Sequence, residues 1–472
     1  MGSFRTKWIS SAVAMVTLLL LSGCTLSPEY HKPDARIPLA WNQQDIALNT
    51  KDSPVSVGSF FSDGKLQQLI KLTIDNNKDL QISALNLQKA GVQYGVEKLT
   101  YLPNISLSAK KTAAHEPAGI FNTIDTGAVT YRQYDVKLVS ASWEVDFWGR
   151  LNSLKEASLS QYLSANASLR SLKISLVEQT VSAYLNYLAA RQYADIASQR
   201  LKNSLRLQHM RHQAFQAGEL NQNSVIDADK DVNNAQADLA QIQLQAQQNY
   251  NALELLVGAP LPPSLFDNVT LEQQWRFPIL QSGLPSQVLL NRPDIIAAEY
   301  QLKAANASIG AARAAFFPSI SISAQGGSST ADMAKLLSSG TLGWGFVPSI
   351  NLPIFDGGKN KANLNLAEIN KKIEVINYQK AIQQAFRDVS DALAGQASIE
   401  KQSEQMSRLY DASLQQHEMA RLSYAAGQTS KENTLQKNNE LLSIRKQMLS
   451  MRLKYLTQGV KLFAVLGGDN SI

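Results

Sequence analysis

Tyr101-Leu102-Pro103-Asn104-Ile105-Ser106-Leu107-Ser108-Ala109 returns 215 residues later as Phe316-Phe317-Pro318-Ser319-Ile320-Ser321-Ile322-Ser323-Ala324. Each copy breaks at a proline and then alternates, with Ile105, Leu107 and Ala109 on one face and Asn104, Ser106 and Ser108 on the other. The same offset pairs Asp79 with Asp294, Leu87 with Leu302, Ala90 with Ala305 and Gly95 with Gly310. Further on, Phe215-x-Ala217-Gly218 matches Tyr424-x-Ala426-Gly427, and Val257-Gly258 matches Leu466-Gly467, both at an offset of 209. The shorter offset places the loss of a few loop residues between the two blocks. The chain reads as two copies of one unit of roughly 200 residues.

Each unit runs helix, strand, strand, long helix, tight turn, helix. The first repeat covers 64–258, with helices over about 64–100, 150–214 and 222–257 and strands over about 102–115 and 130–147. An inter-repeat linker occupies 259–283. The second repeat covers 284–472, with helices over about 285–315, 359–424 and 431–466 and strands over about 317–326 and 341–355. In the first return strand, Val139, Ala141, Trp143, Val145 and Phe147 alternate with Ser140, Ser142, Glu144 and Asp146. In the second, Leu342, Trp344, Phe346, Ile350 and Leu352 oppose Thr341, Gly343, Gly345, Ser349 and Asn351; Pro348 and Pro353 predict an end or bend.

From Leu151 to Ala214 no proline or glycine interrupts the chain, which predicts a helix roughly 95 Å long. The helix returning from Gly218 carries Val225, Ala228, Val232, Ala235, Leu239, Ile242, Ala246, Asn249, Leu253 and Leu256, spaced three and four apart. That is a heptad seam. Adding 209 predicts a second seam through Leu441, Ile444, Met448, Met451, Tyr455, Gln458, Leu462 and Val465.

Four amphipathic strands can close a small sandwich or turn their apolar faces to lipid. In lipid an open sheet edge has no partners for its backbone, and the smallest membrane barrels have eight strands. Strands that span a bilayer here must therefore be pooled from several copies. Trp143 and Trp344 suit an outward aromatic girdle or a core equally well. A shared barrel continued by such helices would be a conduit lined by Ser, Thr, Asn and Gly.

The N-terminus agrees with export. Arg5 and Lys7 precede an apolar run from Ile9 to Leu21, which closes as Leu21-Ser22-Gly23-Cys24. Residues 1–23 read as a signal peptide. The closing Leu21-Ser22-Gly23-Cys24 resembles the bacterial lipoprotein box, which implies a lipid on Cys24 and makes 24–63 a lipidated, extended N-terminal segment. The alternative is a plain secretory signal with an incidental cysteine. Cys24 is the chain's one cysteine, so neither an intrachain disulfide nor a Cys-based metal site is available. Loss of residues 1–23 leaves 43 basic residues against 39 acidic, a balance of +4, with no basic run of the kind that marks nucleic-acid binding. No later stretch is long and apolar enough for a transmembrane helix.

The run Ala304-Ala305-Asn306-Ala307-Ser308-Ile309-Gly310-Ala311-Ala312-Arg313-Ala314-Ala315-Phe316-Phe317-Pro318-Ser319-Ile320-Ser321 resembles the outer membrane factors of TolC type, in the lipoprotein branch typified by OprM. Gly283-Leu284-Pro285-Ser286, Asn291-Arg292-Pro293-Asp294-Ile295, Pro348-Ser349-Ile350-Asn351-Leu352-Pro353-Ile354-Phe355 and Leu466-Gly467-Gly468 extend the likeness over nearly the whole mature chain. The resemblance implies a homotrimer with a twelve-stranded outer membrane barrel and a helical tunnel across the periplasm. It implies a covalent lipid on Cys24 and no other cofactor. The implied partners are a periplasmic adaptor (membrane fusion protein) and an inner-membrane pump, often of the resistance-nodulation-division class.

It also implies that the tunnel closes near the two coiled-coil turns. Ala217, Gly218, Ala426 and Gly427 are then candidate adaptor contacts, and Asp227, Asp231, Glu418 and Arg421 candidate periplasmic gate residues. An ordinary solvated helix end is the other reading of those four. Many relatives carry an aspartate nine residues after each turn glycine; Asp227 keeps it, whereas Gln436 replaces it in the second repeat.

Asp227-x-Asp229-x-Asp231 has Val232 where a calcium loop needs glycine, and His209, His212 and His417 lack the further ligands of a zinc site. No metal site is expected. No phosphate loop, nucleophile elbow or paired-carboxylate signature occurs, so the expectation is a channel and not an enzyme. The expected function is the passive exit duct of a tripartite efflux pump for drugs or amphiphiles. The alternatives are a periplasmic coiled-coil structural or adaptor-like lipoprotein, and an outer membrane duct serving metal export or protein secretion.

Overall fold

The computed structural model describes residues 25–34, 60–61, 63–117, 128–271 and 286–468. The signal segment 1–23, Cys24, most of the extended segment to 59, part of the inter-repeat linker and Gly283-Leu284-Pro285 lie outside the described residues. Among those described, the order is α1 (Gly64–Asn76), α2 (Lys78–Leu99), β1 (Ser106–Glu116), β2 (Val129–Val145), α3 (Arg150–Gln216), α4 (Gln222–Val257), α5 (Pro293–Ala314), β3 (Ser319–Thr330), β4 (Leu342–Asn351), α6 (Lys359–Ala425) and α7 (Lys431–Val465).

The first helix of each repeat departs from expectation in the same way. In place of one helix over about 64–100, α1 and α2 meet at Asn77, whose ψ of 129° leaves the helical region. Its side-chain oxygen then accepts from the Leu80 amide and caps α2. In place of one helix over about 285–315, a 3₁₀ turn over Ser286–Asn291 gives way to α5 at Pro293. Proline disfavours the helical conformation of Arg292 before it. Asn77 and Arg292 are 215 residues apart, so both repeats break at one place.

Residues 25–33, 87–165 and 298–378 form one compact unit, which holds the sheet. All its pairings are antiparallel, in the order β1-β2-β3-β4. The expected end at Pro348 does not occur: Pro348 pairs with Ile322 and β4 continues to Asn351. β4 is an edge strand of this sheet, where a missing N–H is tolerated.

The second unit, residues 60–86, 166–297 and 379–468 within the described ranges, contains the main core. Phe60, Phe61, Leu66 and Leu69 of its N-terminal part pack with Val181, Leu185, Leu253, Leu456 and Phe463. Each such side chain stabilises the fold by about 1.5–3 kcal/mol through burial. Val225, Ala228, Val232, Ala235 and Leu253 of the first seam are buried. In α7 the expected Leu462 and Val465 are buried, but further up the helix the buried row is Leu435, Leu442, Leu449 and Leu456, one residue beyond the expected Leu441, Met448 and Tyr455. The helix faces two partners there: Asn438 bonds both Asn203 of α3 and His417 of α6, which rotates its buried stripe.

Candidate functional site

The sheet register sorts its side chains into two faces. Leu107, Ala109, Val136, Leu138, Ala324, Leu342, Trp344 and Phe346 share one; Ser106, Ser108, Asp135, Lys137, Gln325, Ser321 and Ser349 share the other. Trp344 is 86% exposed and Phe346 57%. On the polar face Asp135 accepts from Lys137, Ser329 and Gln133, a compact charge-neutral group suited to a wet wall.

β2 corrects one expectation. Val139 lies opposite Ser106 and Gln325 on the polar face, whereas Trp143 and Val145 lie opposite Ile322 and Ile320 on the apolar one. Between Ser140 and Trp143 the strand gains one residue over β3, and Ser142 takes a φ of 53°. Such a bulge inverts the alternation beyond it. Trp143 is half-buried and its indole donates to the Tyr101 carbonyl at 2.9 Å, while Trp148 donates to that of Pro318. These bonds tie the helix-proximal end of the sheet.

The two coiled-coil turns are built identically. Gly218 has φ 78°, and Glu219 N donates to the Ala214 carbonyl; Gly427 has φ 75°, and Gln428 N donates to that of Ser423. Both are left-handed caps with the hydrogen bonds that close a helix end. Asn221 and Ser430 then cap α4 and α7. Ala217, Gly218, Ala426 and Gly427 are all exposed.

The gate candidates are exposed as well, and within one chain they are not brought together across helices. Asp227 faces Lys230 at 3.5 Å on its own helix, and Glu418 chelates Arg421 at 2.7 Å on its own. The hydrogen bond from Arg421 holds the Glu418 carboxyl below its ordinary range. The helices are instead joined by groups that sequence reasoning passed over. Arg211 of α3 meets Glu432 of α7 at 2.8 Å. Asp229 of α4 accepts from Gln208 and pairs with His212, and these hydrogen bonds lower its pKa. His209 is exposed, and among the described residues no three potential ligands form a metal cluster.

A second missed feature is the strap over residues 25–33. The Ser27 hydroxyl sits 3.1 Å from that of Ser153, in a notch over Gly310 where a Cβ would overlap it. Asn306 donates to the Pro28 carbonyl, and Lys32 and Lys303 converge on Glu299 at 2.7 and 2.8 Å. Burial opposes ionisation of Glu299, but the hydrogen bonds from Lys303 and Lys32 outweigh it and hold the carboxyl below its ordinary pKa. The only sequence signal was the repeated Gly95/Gly310 pair, and Gly95 faces open space.

A family model described as outer membrane efflux protein matches residues 69–259 and 284–468, the two repeats in turn. The chain belongs to the outer membrane efflux protein family. This efflux protein is 36% identical to the antibiotic efflux pump outer membrane protein ArpC of Pseudomonas putida, over 96% of this chain and 94% of that one. It is 34% identical to the cation efflux system protein CusC of Escherichia coli, over 95% and 96%. The open-state outer membrane channel MtrE of Neisseria gonorrhoeae superposes with a TM-score of 0.81 at 31% identity, covering 94% of this chain and 98% of that one. The efflux protein is thus an outer membrane channel whose two repeats each supply two strands and the long helices.

Proposed function

We propose that three copies of the chain assemble into the passive exit duct of a tripartite efflux pump, anchored by lipid on Cys24. Twelve strands then close one barrel, the polar sheet face lines it, and a periplasmic adaptor docks at the turns around Gly218 and Gly427. An inner-membrane pump, of the resistance-nodulation-division class, supplies the energy, and the duct catalyses no reaction. The supporting observation is a four-stranded sheet with one face apolar up to its loop end and, among the described residues, its two edges, β1 and β4, unpaired. Lipid requires those edges to be paired, and four strands cannot close on themselves.

The cargo read here is drugs and other amphiphiles, as in the antibiotic efflux named for the 36% identical relative. A cation-efflux relative at 34% favours metal export as the second reading. Detergent-solubilised protein should have the mass of a trimer by native mass spectrometry and conduct ions in planar bilayers. A monomer that forms no pore would overturn the duct. Expression in a strain lacking its own duct should raise resistance to hydrophobic antibiotics; restored tolerance to toxic metal cations without drug resistance would select the second reading.

A further inference from the structure

The apolar face of the sheet carries two cations at its loop end. Lys111 lies opposite Tyr134, and Arg132 opposite Ala113, so both share the face of Leu107, Ala109, Val136 and Leu138. They are diagonal neighbours across β1 and β2, roughly 7–8 Å apart at the backbone. Both side chains are exposed. The Lys111 ammonium stands over the Tyr134 ring, 5.6 Å from its centroid. No carboxylate shares their face at this end of the described strands: Asp135 and Glu116 point to the opposite one, and Asp135 is already matched by Lys137.

Depth decides what these cations meet. Tyr134 pairs with Thr330, ten residues along β3 from Ile320 at the helix-proximal end. At about 3.4 Å per residue and a tilt near 40°, that is about 26 Å along the membrane normal. The apolar band of a membrane barrel is about 25 Å tall. Lys111 therefore stands at the outer rim of that band, and Arg132 two residues beyond it. A lysine or arginine on the lipid side costs about 2–4 kcal/mol at the midplane and about 0–1 at the interface. At this rim the pair is tolerated, and it faces headgroups, not acyl chains.

We propose that Lys111 and Arg132 form a binding site for the phosphate groups of a phosphorylated glycolipid in the outer leaflet. Arginine grips phosphate through two parallel N–H bonds, and lysine adds a mobile point charge. Tyr134 supplies an amphipathic ring at headgroup level. This site rests on the duct reading, because it requires the apolar face to meet lipid.

The test reconstitutes the full-length protein in phosphatidylcholine nanodiscs doped with bis-phosphorylated lipid A or with its dephosphorylated form. Retained glycolipid is counted by native mass spectrometry. The wild type should retain the phosphorylated form, release it in 0.5 M salt, and hold the dephosphorylated form about tenfold less well, the equivalent of about 1.4 kcal/mol. Lys111→Gln with Arg132→Gln should lose the preference, and Lys111→Arg with Arg132→Lys should keep it. Equal retention of both glycolipids by the wild type, or salt-insensitive retention, would overturn the site whatever the variants do. Bilayer conductance of the same preparations separates the readings: a conducting wild type without the preference sinks only the glycolipid site, whereas a non-conducting one sinks the duct.

Discussion

Gly310 and Gly95 occupy one position of the repeat with different neighbours. A Cβ at Gly310 would collide with Ser27, and one at Gly95 meets nothing within 4 Å. Gly310→Ala should therefore lift the strap and speed amide exchange over residues 25–33, measured by mass spectrometry. Gly95→Ala should leave the strap protected and, as a helical Gly→Ala change, stabilise by about 0.5–1 kcal/mol. Equal exchange in both variants would mean that the notch does not hold the strap. Glu299 gives that strap a pH dependence. Its folded pKa is lowered, so its contribution is complete above the ordinary glutamate value near ~4.3 and is lost as the pH falls through the lower folded value. Proteolytic accessibility of the strap should rise only below about pH 4, and Glu299→Gln should abolish that rise. None of this was legible in the sequence. A glycine shared by both repeats shows where a close approach is possible, but the chain that approaches lies some 280 residues away and has no counterpart in the first repeat.

The helices and strands themselves were legible because their signals are periodic and local. The proline-free run from Leu151 predicted a helix that the structure extends over 67 residues, and the twin Ala-Gly turns predicted the two reversals. The failures came where one residue shifts the phase. Nothing in Ser140-Ala141-Ser142 announces that β2 gains a residue over β3, and an unbroken alternation is the natural reading of it. The buried stripe of α7 likewise follows from its second neighbour, which a heptad count cannot see. The same limit applies to the gate. The resemblance points to Asp227 and Arg421 as charged groups near the tunnel's closed end, and each finds its partner on its own helix. Such i,i+3 pairs on exposed helices are weak and can be exchanged for contacts between copies. Asp227→Ala combined with Arg421→Ala should raise single-channel conductance in planar bilayers. Unchanged conductance would leave these residues as a solvated helix end and shift attention to Arg211–Glu432, which already joins two helices.

For the molecule as a whole, everything turns on which solvent meets the apolar sheet face. Phe346 pairs with Ala324, four residues along β3 from Ile320, which places it about 10 Å into a band about 25 Å tall. Gln325, next along β3, points to the polar face and is exposed. If lipid covers the apolar face, Phe346→Lys should cost about 2–4 kcal/mol in each copy, and a closed assembly suffers the cost once per copy. The variant should fail to appear in outer membrane fractions as an assembled, heat-dissociable oligomer. Gln325→Lys, with the same new charge one residue away, should assemble normally and alter only ion selectivity, because its ammonium reaches water. A sandwich burying the apolar face against protein would also reject Phe346→Lys, but it would expose Trp344 to no lipid. Quenching by brominated acyl chains of the fluorescence component that Trp344→Phe removes distinguishes the two. Strong quenching places the face in the bilayer, and the absence of quenching would return the strands to a water-soluble fold.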